Sequence, residues 1–88
     1  MTFALQLQVL ITAAKNSGLS EKAVAFIRRA GETAEKTFLS TSDVGMDDVV
    51  LKVYRALHDD GEEKTRIFNR APGEKNWGEE ALIFIQSY

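Results

Sequence analysis

The sequence predicts an α+β fold in which three helices precede a C-terminal antiparallel β-hairpin. Three observations support this prediction. An apolar stripe at helical spacing runs through residues 46–57, a helix start signal stands at Ser20, and two apolar runs flank the turn-like residues 71–74. At 88 residues the chain has the size of one domain with a modest core, so we expect a single unit over residues 1–88.

The third helix is the most clearly marked element. Its apolar residues recur every three or four positions and therefore share one face of a helix: Met46, Val49, Val50, Val53 and Leu57. Ser42 and Asp43 are candidate caps before this stripe. Asp47 and Asp48 add negative charge to the first turn, where the helix dipole favours it. Residues 59–61 supply an exit turn.

The first segment fits two patterns. Odd-numbered apolar residues alternate with mostly polar ones, as in a strand: Phe3, Leu5, Leu7, Val9 and Ile11. A helical stripe fits the same stretch: Phe3, Leu7, Leu10, Ile11 and Ala14. We favour the helix because Leu, Gln and Ala prefer it. The alternative makes residues 3–11 a strand beside the hairpin, in the order β-α-α-β-β.

The second helix is expected to begin after Ser20, with Glu21 in its first turn. Gly31 interrupts this helix at a cost of about 1 kcal/mol relative to alanine, so a bend or an end is expected there. The hairpin is predicted from Thr65 to Arg70 and from Ala81 to Ile85, two runs joined by a polar tip.

Composition narrows the function classes. The chain has no cysteine, which excludes disulfides and thiolate metal sites and fits a reducing compartment. The apolar start has no basic residue and contains Gln6 and Gln8, so we expect neither a secretory signal nor a membrane span, and a cytoplasmic location. Residues 41–63 hold two basic and seven acidic side chains, whereas residues 64–77 hold four basic and one acidic.

No catalytic pattern is present in the sequence. His58, Asp59 and Asp60 are adjacent, and neighbouring residues at a helix end point apart instead of converging on a metal or a substrate. There is no Gly-rich phosphate loop and no arrangement of a nucleophile with its base. We therefore expect a binding protein with no enzymatic activity, no cofactor and no metal.

The order of three helices and a hairpin resembles the winged helix-turn-helix family, and residues 45–61 are similar to its recognition helix. This resemblance implies a small regulatory protein that binds duplex DNA. Lys52 and Arg55 would then face a groove, and the phosphates would meet Arg66, Arg70 and Lys75.

Residues 14–19, followed by Val24 and Ile27, also look like a simple helix-turn-helix. That second resemblance implies a DNA-contacting face on the second helix, flanked by two arginines: Ser20, Glu21, Lys22 and Ala25, with Arg28 and Arg29 on the backbone. We rank it below the winged-helix hypothesis.

The chain departs from the basic pattern of DNA-binding helices at the start of the third helix, because phosphates would repel Asp43, Asp47 and Asp48. Family members with an acidic third helix often bind protein instead. The alternative function is therefore a protein-binding inhibitor or adaptor of bacterial or phage type. It would act through Asp47, Asp48 and Trp77, and its partner would be a host protein; the sequence also leaves a homodimer open.

Overall fold

A computed structural model describes residues 1–37, 43–58 and 75–88 of the protein; the side chains of residue 37 and of residues 75–78 are outside this description. Four helices occupy the described ranges: α1 (Phe3–Asn16), α2 (Glu21–Thr37), α3 (Met46–His58) and α4 (Lys75–Ser87). These ranges contain no strand.

The predicted C-terminal hairpin is wrong, because Ala81 to Ile85 belong to α4. Ala81 is fully buried and Ile85 nearly so, whereas Ile83 between them is 64% exposed. A strand would place these three side chains on one face, but a helix sends the middle one outward. Five consecutive apolar residues fit either period. Ala81 and Ile85 are four residues apart, and a helix allows both to be buried where α4 packs against α2 and α3. The predicted partner strand, residues 65–70, and the turn at 71–74 lie outside the described residues.

The strand alternative for residues 3–11 is also wrong, and the preferred helix is confirmed as α1. Thr2 caps this helix, since its Oγ1 accepts a hydrogen bond from the backbone N–H of Leu5 at 3.3 Å. The predicted stripe is the buried side of the helix: Phe3, Leu7, Leu10, Ile11 and Ala14. The residues that suggested a strand, Leu5 and Val9, are exposed.

The predicted second and third helices are confirmed. Ser20 is the N-cap of α2, and its Oγ accepts a hydrogen bond from the Ala23 N–H at 3.1 Å. Val49, Val53 and Leu57 form the buried stripe of α3. Asp43 does not cap α3; its carboxylate instead accepts a hydrogen bond from the Met1 amino group at 3.0 Å.

The core lies between two central and two flanking helices. α2 packs against α3, and both α1 and α4 pack against this central pair. The largest fully buried side chains come from all four helices: Leu10, Ile11, Ile27, Val49, Val53, Leu57 and Ile85. The described residues include no buried polar or charged side chain, so apolar burial stabilises this part of the fold.

Gly31 lies inside α2, where it packs directly against Leu7 of α1. A Cβ added to Gly31 would meet the Leu7 side chain, with Cδ2 at 2.6 Å and Cγ at 3.0 Å. The missing side chain therefore makes room for Leu7, which is only 4% exposed. The expected end at this glycine is wrong, since α2 continues to Thr37; the expected bend stays a prediction.

Gly18 has a different role, since it adopts a left-handed conformation with φ of 83° in the turn between α1 and α2. An added Cβ would meet nothing within 4 Å, so only the backbone conformation restricts this position. We expect Gly18→Ala to lower the free energy of unfolding by about 1 kcal/mol, measured by urea denaturation. Gly18→Asn should cost less, because asparagine tolerates this region. Equal stability of the wild type and the alanine variant would contradict this account.

Candidate interaction surfaces

The structure places only part of the predicted DNA-binding set. Lys52 is half-buried and Arg55 is exposed, three residues apart on α3. Lys75 is the first residue of α4, where only its backbone is described. Arg66 and Arg70 lie outside the described residues. The expected convergence of these five cations on a groove and its flanking phosphates therefore stays a prediction.

The predicted protein-binding residues lie towards opposite ends of the α3–α4 pair. Asp47 and Asp48 are exposed in the first turn of α3. Trp77, which was expected in a hairpin tip, lies in the first turn of α4. α4 runs antiparallel to α3. Near the start of α4, Glu79 lines a groove together with His58 at the end of α3. Near the end of α4, Gln86 Nε2 donates a 3.3 Å hydrogen bond to the hydroxyl of Tyr54, one turn earlier in α3. The backbone of residue 77 thus lies near the end of α3, away from its acidic start.

The N-terminus of α2 holds a carboxylate supplied by α4. Glu80 Oε1 accepts a hydrogen bond from the Ser20 backbone N–H at 2.8 Å, and Oε2 accepts one from the Ser20 hydroxyl at 2.9 Å. A helix N-terminus attracts anions through its free N–H groups and its dipole. Glu80 therefore places a carboxylate on Ser20, one of the residues that the simple helix-turn-helix arrangement would present to DNA.

The outward side of α1 exposes two large apolar side chains, and its one charged side chain is Lys15 near the end. We define the α1 face as five exposed residues spaced three or four apart on this helix: Leu5, Gln8, Val9, Thr12 and Asn16. Leu5 is 54% exposed and Val9 is 42% exposed. None of the first 14 residues of the chain has a charged side chain. Surface helices ordinarily carry charged residues on the side away from the core, whereas α1 carries only Lys15 there.

Sequence reasoning missed the α1 face, although a signal for it was present. Residues 3–11 contain more apolar residues than fit on one side of a helix, and these additional apolar residues also fit a strand pattern. Once the stripe of Phe3, Leu7 and Leu10 is buried, Leu5 and Val9 remain on the other side. A segment that fits both the helical and the strand spacing of apolar residues thus indicated a helix with apolar residues on two sides.

Charged groups lie near both ends of the α1 face. Residues 43–44 lie beside the first turn of α1: the Val44 N–H donates to the Met1 carbonyl at 2.8 Å, and Gln6 Nε2 donates to the Val44 carbonyl at 3.1 Å. The side chain of Asp43 is 98% exposed there. Its carboxylate forms an ion pair with the Met1 amino group at 3.0 Å, so a positive and a negative charge lie together at the start of the helix. Lys15 is exposed and adds a positive charge near the end of the helix.

A second surface feature lies between α3 and α4. It is a groove of about 300 Å³ lined by two aromatic rings, two apolar side chains and two polar ones: Tyr54, His58, Leu82, Ile83, Glu79 and Gln86. The rings of Tyr54 and His58 stack with centroids 5.4 Å apart. The groove adjoins the point where the chain continues into residues 59–74, which lie outside the described residues.

Comparison with known proteins adds no assignment: the sequence matches no family model, and no similar curated protein or solved structure was found. Within the described ranges, no three histidine, aspartate or glutamate side chains gather as metal ligands would. None of the helices described is both long enough and apolar enough to cross a bilayer.

Proposed function

We propose that this protein is a non-catalytic protein-binding module whose binding surface is the α1 face. The observation that carries the proposal is the exposure of Leu5 and Val9 on the outward side of α1, in a stretch of 14 residues without a charged side chain. Burying this side against a protein removes apolar area from water and desolvates no charge at its centre. Exposed apolar surface of this kind is typical of interaction sites. The cytoplasm remains the proposed compartment.

Duplex DNA is the second candidate ligand, and it has less support. The resemblance that suggested it requires a wing, but the run predicted as the second wing strand belongs to α4. The helix that would enter the groove begins with the exposed carboxylates of Asp47 and Asp48, which repel phosphates. The simple helix-turn-helix alternative would present Ser20 to DNA, but the Glu80 carboxylate already binds this residue. DNA binding accordingly stays a prediction.

A photo-reactive amino acid incorporated at position 5 or 9 tests the proposed surface in the cells that produce the protein. We expect covalent protein adducts from both positions, because they would lie inside the interface. Glu32 is an exposed position on the outward side of α2, and the same reagent there should give none. Adducts of equal yield from all three positions, or from none, would remove the support for the α1 face.

The DNA hypothesis has its own measurement. If the chain binds duplex DNA, fluorescence anisotropy should detect binding at ~50 mM salt, and the affinity should fall steeply with added salt and with Arg55→Ala. Under our proposal the anisotropy stays at the value of free DNA. Salt-sensitive binding that depends on Arg55, together with absent adducts at positions 5 and 9, would replace the protein-binding proposal with the DNA one.

A further inference from the structure

We infer that the cleft between the end of α1 and the start of α2 binds a small carboxylic acid with a compact apolar body. The cleft has a volume of about 390 Å³, which is within the range of small-molecule sites. Three apolar and three charged residues line it: Leu19, Val24, Ala25, Lys15, Glu21 and Arg28. The cleft shares no residue with the α1 face, so the inference does not depend on the proposed function.

The apolar residues of the cleft would contact the body of the ligand. Val24 is only 6% exposed, and Leu19 and Ala25 are half-buried. Val24 and Ala25 belong to α2, and Leu19 belongs to the turn before it. An apolar group that covers these three side chains removes its own surface and theirs from water, which stabilises the complex. An inorganic anion has no apolar group and would gain nothing from them.

The positive charges of the cleft come from two different helices. Lys15 is supplied by α1 and Arg28 by α2, and both side chains are exposed. Within the described ranges, neither side chain forms an ion pair, so no described carboxylate neutralises them. A carboxylate on the ligand can accept charge-assisted hydrogen bonds from such groups.

The one negative charge of the cleft limits the charge of the ligand. Glu21 lies seven residues before Arg28 on α2, which is about 10 Å along the helix axis, and the two do not form an ion pair. Two positive charges and one negative charge leave a net charge of +1 in the cleft, which a single carboxylate balances. A phosphate monoester has almost twice that charge, and Glu21 would repel it more strongly.

Titration of the isotope-labelled purified protein with sodium hexanoate, followed by NMR at constant ionic strength, tests the site. We expect saturable shifts of the backbone amide signals of Leu19, Val24 and Ala25, with a dissociation constant on the order of 1 mM for a ligand of this size. Hexylammonium chloride and hexanol have the same apolar body without the carboxylate, and they should bind about fivefold more weakly. Absence of saturable shifts with hexanoate, or equal binding of all three compounds, would overturn the inference.

Single substitutions test the charged residues. Lys15→Gln and Arg28→Gln should each weaken hexanoate binding about twofold to fivefold, because each removes one exposed positive charge. Glu21→Gln should strengthen binding about twofold, because it removes the repelling carboxylate. The matched control is Lys36→Gln, which removes an exposed cation at the other end of α2 and should leave binding unchanged. If Lys15→Gln and Arg28→Gln both bound hexanoate as tightly as the wild type, the assigned site would be wrong.

The C-terminal carboxylate of a protein has the same chemistry as that of a small acid, and N-acetylleucine distinguishes these two sources. This compound mimics a chain end, with an apolar side chain beside its carboxylate. We expect it to bind more weakly than hexanoate, because its amide group would lose water over the apolar part of the cleft. Tighter binding of N-acetylleucine than of hexanoate would contradict the small acid and identify a protein C-terminus as the ligand.

Discussion

Gly31→Ala is expected to lower the free energy of unfolding by about 1–2 kcal/mol, although alanine is the better helix former. The added methyl group would come within 3.0 Å of Leu7 Cδ2 and Cγ. Leu7 is only 4% exposed, so it cannot turn away without disturbing the α1–α2 contact. The overpacking strain therefore exceeds the gain in helix propensity. For a chain of this size the melting temperature should fall by about 5–10 °C.

A double-mutant cycle separates this strain from any other effect of alanine in α2. Leu7→Ala alone should cost about 2–4 kcal/mol, through lost burial and a cavity. In the Leu7→Ala background, Gly31→Ala should stabilise the protein by up to about 1 kcal/mol, because only its helix propensity remains. The effect of Gly31→Ala on the free energy of unfolding would thus change from destabilising to stabilising when residue 7 is made smaller. If Gly31→Ala had the same effect in both backgrounds, the close approach of α1 and α2 would be disproved.

Glu80→Ala is expected to cost about 1–3 kcal/mol, because Glu80 joins the start of α2 to α4 through two hydrogen bonds, at 2.8 and 2.9 Å. The loss leaves the Ser20 N–H without its partner at a half-buried position. Glu80→Gln should cost less than Glu80→Ala, because the amide keeps one acceptor oxygen, although it has no charge. Urea denaturation measures both variants.

The control for Glu80 is its neighbour Glu79, which is exposed. Glu79→Ala should change the stability by less than about 0.5 kcal/mol. Ser20→Ala and Glu80→Ala should combine to less than the sum of their separate costs, because they remove the same contact. If Glu79→Ala and Glu80→Ala were equally destabilising, the loss of stability would come from the helix propensity of α4. The contact between Glu80 and Ser20 would then not explain it.

The elements with local signals could be predicted from the sequence. The stripe of α3 and the cap at Ser20 specify their helices through neighbouring residues alone. The C-terminal segment had no such signal, because its apolar run from Ala81 to Ile85 fits both periods. There the prediction was wrong, and the burial of two positions against α2 and α3 explains the helix.

The candidate site was predicted less well than the fold. Asp47 and Asp48 are exposed at the start of α3 as expected, yet the backbone of Trp77 lies towards the other end of that helix. The α1 face was present in the sequence only as an excess of apolar residues. The structure shows it as a surface, because Leu7 and Leu10 are buried in the core while Leu5 and Val9 are exposed.

The sequence by itself determined where α2 begins and which sides of α2 and α3 are apolar, because caps and helical spacing act within a few residues. Only the tertiary structure decided that Gly31 accommodates Leu7 and that Glu80 binds Ser20, 60 positions earlier. It also decided that α4 is a helix. These contacts join residues far apart in the chain, and their energies exist only after the helices have packed together.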